Sequence, residues 1–100
     1  MDPAMTIAEL LKTRRDEILA IAERHGASNV RIFGSVARGE AGPDSDVDLL
    51  VDLERGRTLI DHGQLQVDLE GLLGRKVDVV TERGLLSHLR ARVLEEAVPL

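Results

Sequence analysis

Residues 46–53, Asp-Val-Asp-Leu-Leu-Val-Asp-Leu, fit one regular structure. Read with a period of two, they put Val47, Leu49, Val51 and Leu53 on one face. Asp46, Asp48, Leu50 and Asp52 fall on the other. A strand with one apolar face requires a packed layer against it. Acidic residues are poor strand formers, so an Asp-x-Asp pair at the head of such a strand needs a reason. The plain alternative is a solvated face, and Asp52 fits that description.

Two further segments are built alike. Asn29–Phe33 is short and β-prone, and Lys76–Thr81 repeats the alternation, with Asp78 opposite Val77 and Val79. Helical periodicity fills the intervals. Ile7, Leu10, Leu11, Ile18, Leu19, Ile21 and Ala22 predict a helix over about 6–25, with Thr6 and Glu9 at capping-box spacing and Gly26 as its stop. A second helix is expected over about 58–73, closed by Gly74, although Gly63 weakens it. A third is expected over about 84–97, with Leu85, Leu86, Leu89, Val93 and Leu94 turned inward. Ser35–Arg38 reads as one short helical turn, and Gly39–Ser45 as a loop rich in turn formers. The order α-β-α-β-α-β-α predicts an α/β (α+β) domain with a small mixed sheet flanked by helices. At 100 residues the chain is long enough for one domain, taken here as 6–100. Met1–Ala4 ahead of Met5 read as a cloning-derived tail, so 1–5 are set apart.

Composition excludes several classes. There is no cysteine, so neither a disulfide framework nor a thiolate metal site is available. No apolar run approaches the roughly 20 residues of a membrane span, and the N-terminus lacks a signal-peptide layout. The expectation is a cytoplasmic protein. A net charge of −5 and a single aromatic residue, Phe33, argue against direct nucleic-acid binding. His25, His62 and His88 show no ligand spacing and are expected to be exposed helix residues. Arg75, Lys76, Arg83, Arg90 and Arg92 read as a solvated basic sprinkling.

Three features converge on one chemistry. Gly34-Ser35 lies where a strand gives way to a helix, and glycine lets backbone approach a ligand closely. Asp46 and Asp48 project to the same side, and two such carboxylates suit a hard divalent cation such as Mg²⁺. Asp78, on a separate strand, can face them across a neighbouring strand. A third carboxylate can serve a second metal or take a proton from an attacking hydroxyl.

Gly34-Ser35-Val36-Ala37-Arg38-Gly39 followed by Ser45-Asp46-Val47-Asp48-Leu49, with ten residues between Ser35 and Asp46, resembles the signature of the DNA polymerase β-type nucleotidyltransferase superfamily. Lys76–Val80 is similar to the strand that carries the third carboxylate there. The short prokaryotic minimal nucleotidyltransferases are the best match in length. The resemblance implies that Gly34 and Ser35 hold the triphosphate of ATP and that Arg38 contacts phosphate. It implies that Asp46 and Asp48 are catalytic metal ligands, and that Asp78 is general base or second-metal ligand. It implies transfer of AMP from Mg–ATP to a hydroxyl, releasing pyrophosphate. Minimal members are similar to antitoxins that adenylylate a tyrosine of a helical HEPN ribonuclease toxin. No helical acceptor domain follows the motifs here, which favours a protein acceptor over a small molecule. Two other readings stand beside this one: an antitoxin that neutralises by binding alone, and a subunit active only in a complex.

Overall fold

The computed structural model describes residues 6–100. The reading of residues 1–5 as a tail lies outside them.

Helix α1 spans Ile7–Thr13 and α2 Arg15–Arg24. The single helix expected over 6–25 is therefore two, hinged at Arg14 (φ −98°, ψ 12°). The cause is visible in the sequence: no apolar residue falls between the buried Leu11 and Ile18, so nothing holds that turn to the core. The Thr6 hydroxyl accepts from the Glu9 N–H at 3.1 Å, and Gly26 terminates α2 at φ +74°.

Strand β1 runs Ala27–Phe33, with a bulge between Ser28 and Arg31. After it come α3, Ser35–Arg38, then β2, Val47–Leu53, then α4, Leu59–Leu73. Thr58 and Asp61 form a complete capping box at the start of α4, and Gly74 ends it in the left-handed region. Strand β3 is Val77–Val80 and is followed by a 3₁₀ turn, Glu82–Gly84. Helix α5 spans Ser87–Glu96, and a two-residue strand β4, Val98–Pro99, closes the chain. Sequence reading missed β4, because two residues ending in proline carry no alternation.

The sheet is mixed, in the order β3-β2-β1-β4. Strands β2 and β3 are parallel, while β1 is antiparallel to both β2 and β4. Val47, Leu49, Val51, Val77 and Val79 meet the buried leucines and isoleucines of α1, α2 and α4 in one core. β3 lies at the sheet edge, where unpaired backbone donors invite mispairing. Here α4 satisfies them: the Val77 N–H donates to Glu70 Oε2 at 3.1 Å and the Val79 N–H to Gln66 Oε1 at 3.2 Å.

Further expectations are corrected. The last helix begins at Ser87 rather than near residue 84, because the Thr81 hydroxyl caps the 3₁₀ turn through the Gly84 N–H. Its leucines do not face a core: α5 has no buried residue, and Leu86 is 64% exposed. Two histidines also depart from the expected exposure. His25 Nε2 lies 2.6 Å from Asp68 Oδ2, tying α2 to α4, and the His62 ring donates to the Val79 carbonyl.

Candidate active site

The face of the sheet opposite the main core carries the acids. Strand β1 delivers the chain to Gly34, whose φ of +76° and ψ of −152° are open only to glycine. A Cβ there would overlap the Asp48 carboxylate. The glycine is thus demanded twice, by the backbone turn and by the approach of main chain to a side-chain oxygen. Ser35 opens α3, and Gly39, at φ +74°, closes it. The loop that follows is braced by the Gly42 N–H donating to Ser45 Oγ at 2.8 Å.

The carboxylates are brought together by register. Asp48 pairs with Asp78 across the parallel β2–β3 ladder and with Phe33 across the β1–β2 ladder. Residues paired across a ladder share a face, so both carboxylates stand side by side. Asp46 leads into β2, with Oδ2 3.9 Å from Lys76 Nζ. Burial pushes the Asp48 carboxyl above its usual range, and the charges of Asp78 and Asp46 push it further, with Arg38 pulling the other way. A site that crowds negative charge in this way suits a hard cation. Among the described residues no three acidic, imidazole or thiol groups already form a metal cage. Mg²⁺ does not require one, because it binds through one or two carboxylates and completes its shell with phosphate oxygens and water.

Gly34, Ser35, Arg38, Asp46, Asp48 and Asp78 all line one open pocket of about 600 Å³. The six sequence candidates are therefore gathered in one place. Arg38 is not idle there: its Nε donates to Glu40 at 2.8 Å and its Nη1 to Glu96 at 2.6 Å. To reach a phosphate, its guanidinium would have to share or leave one of these partners.

The far wall is α5, which sequence reading did not connect with the site. Leu89, Arg92, Val93 and Glu96 of α5, with Leu85 just before it, line the pocket that the aspartates also line. The signal for this wall was present in the 3.6-residue spacing of Leu89, Val93 and Glu96, but spacing alone does not distinguish a pocket wall from a core face. Arg92 makes no ion pair among the described residues, which leaves it the one pocket arginine without a carboxylate partner.

Residues 15–100 match the nucleotidyltransferase domain family. The chain belongs to that family. It is 58% identical to a solved structure provisionally described as a minimal nucleotidyltransferase, with a TM-score of 0.86 over 97% of this chain and 99% of the other. It is 41% identical over 92 residues to the protein adenylyltransferase MntA of Thermococcus cleftensis, covering 92% of this chain and 90% of that protein. A toxin–antitoxin crystal structure with AMP-PNP shares the nucleotidyltransferase fold, with a TM-score of 0.73 at 22% identity over 84% of this chain and 69% of that one. The fold expected from the sequence, a small mixed sheet flanked by helices, is the one observed.

Proposed function

We propose that this nucleotidyltransferase transfers AMP from Mg–ATP to a hydroxyl, a tyrosine in the favoured reading, of a helical HEPN-type toxin, and so acts as its cytoplasmic antitoxin. The observation that carries the proposal is the contact of the Gly34 backbone with Asp48, itself in register with Asp78. A turn suited to phosphate thus lies directly against a carboxylate pair. The relationship to MntA of Thermococcus cleftensis, named a protein adenylyltransferase, supports a protein acceptor. The toxin–antitoxin structure with AMP-PNP is a neighbour in fold.

In this reading Gly34 and Ser35 seat the triphosphate, and Arg38 or Arg92 meets its outer oxygens. Asp46 and Asp48 hold Mg²⁺, with Asp78 at the same centre. The bound ion supplies charge neutralisation at the phosphates. The acceptor oxygen forms a bond to the α-phosphorus as the bond to pyrophosphate breaks, and Asp78 takes the hydroxyl proton. Asp78 is well placed for that task, being exposed on the edge strand beside the more buried Asp48.

Co-expression with the product of the adjacent gene, followed by intact-mass spectrometry, tests the proposal. The partner should gain one or more AMP units, and Asp48→Asn should abolish the gain. A neutralised partner of unmodified mass would instead support an antitoxin that works by binding alone.

A further inference from the structure

We propose that Arg75 and Lys76 form an anion subsite for the acceptor, receiving a carboxylate on the polypeptide segment that bears the acceptor hydroxyl. The inference rests on the reading of the main pocket given above and names the acceptor chemistry that pocket takes.

Sheet order supplies the direction. The Gly34-Ser35 turn follows β1, the Asp46–Asp48 pair heads β2, and Asp78 lies on β3, with β2 between the other two strands. An in-line displacement needs the attacking oxygen opposite the leaving group. With pyrophosphate leaving on the β1 flank, the acceptor arrives over β3. A second pocket of about 240 Å³ lies where the chain enters β2 and β3, away from β1, and shares Ser45 and Asp46 with the first. Its remaining wall includes Pro43, Asp44, Arg75 and Lys76.

Both cations there are underused. Arg75 Nη1 donates to the Pro43 carbonyl at a long 3.3 Å, while its Nε is buried with no hydrogen-bond partner among the described residues. A buried donor without an acceptor is costly, so the guanidinium gains by turning toward an acceptor that a guest in this pocket supplies. Lys76 reaches Asp46 only at 3.9 Å, and both side chains are largely exposed. Asp44 and Asp46 offset these two cations, so the corner is neutral when both acids are counted and positive once Asp46 is engaged in the main pocket. The whole chain carries −5, so an acidic acceptor segment needs a local cation to approach this site. Two flanking acids also make a singly charged carboxylate a better guest than a doubly charged phosphate.

The test is an amide NMR titration of the full chain with Mg²⁺ and α,β-methylene-ATP, which cannot transfer AMP. The probes are the N-acetylated, C-amidated peptides Glu-Tyr-Glu and Gln-Tyr-Gln, and inorganic phosphate. The acidic peptide should give saturable shifts at the Gly74, Arg75 and Lys76 amides. Arg75→Gln with Lys76→Gln should weaken it about tenfold or more, well beyond any change in nucleotide affinity read in the same titration. The same spectra report whether the double variant folds, and Lys76→Gln alone, at an exposed lysine, carries the comparison if it does not. Equal shifts from both peptides would overturn the assignment, as would phosphate saturating these amides at lower concentration than the acidic peptide. Failure of the nucleotide itself to bind would count against the main-pocket reading; the peptide titration without nucleotide still judges the corner.

Discussion

Asp48 and Asp78 occupy matching positions on parallel neighbouring strands, so two carboxylates stand side by side on one face of the sheet. At about 5 Å and an effective dielectric near 20, such a pair repels by roughly 3 kcal/mol before solvent relieves it. Removing one charge should therefore relieve the metal-free protein.

Asp48→Asn is expected to leave the protein in EDTA as stable as wild type, or more stable by about 1 kcal/mol at neutral pH. The sign follows from the raised carboxyl. The folded state holds the Asp48 proton more tightly than the unfolded chain, so the contribution of this one group to wild-type stability is fullest below the ordinary value of 3.8 and is lost as pH rises through the folded value. The advantage of the asparagine should accordingly vanish in acid. Thermal melts across that range check it, and an Asp48→Asn protein that melts lower in EDTA at neutral pH would make the residue structural.

Gly34→Ala should be harmful out of proportion to one methyl group. It forces a side chain into positive φ at a cost of about 1–3 kcal/mol and drives Cβ into the Asp48 carboxylate. Asp48→Ala in the same chain should recover part of the stability but not nucleotide binding. Melting curves of the single and double variants measure the coupling, and additive losses would show that the contact is immaterial.

Arg38 and Arg92 line the same pocket in different states. Arg38 is held by Glu40 and Glu96, and so braces the end of α5. Glu96→Gln should speed hydrogen exchange at α5 amides. Arg92→Ala should leave exchange alone and raise the ATP KM several-fold. The reverse pattern would assign the bracing to Arg92.

Leu50 is fully buried although it lies on the acidic face of β2, whereas Leu86 is 64% exposed. Leu50→Ala should cost about 2–5 kcal/mol and Leu86→Ala within about 0.5 kcal/mol. Denaturant titrations of the two variants decide whether that face has a core of its own.

Period-two alternation located β2 and β3 because one face of each packs on helices and the other does not. Gly34-Ser35 and the three aspartates stood out because acidic residues conflict with strand propensity and a glycine marks a sharp turn, and the fold gathers them around one pocket. The break at Arg14 was harder to see, since a hinge arises from an absence of apolar anchors between Leu11 and Ile18. The role of α5 was not legible at all. Its leucines have core spacing, and only the tertiary position of the helix reveals that they border a pocket. Strand β4 is two residues long and exists only because β1 offers an edge.

The central claim is that the carboxylates and the Gly34-Ser35 turn form one Mg–nucleotide site. Calorimetric titration of ATP into the protein, in Mg²⁺ and then in EDTA, tests it most directly. The account predicts saturable binding in Mg²⁺, strongly weakened in EDTA and weakened in Mg²⁺ by Ser35→Ala with the fold intact. Equal affinity with and without Mg²⁺, or unchanged binding by Ser35→Ala, would contradict it.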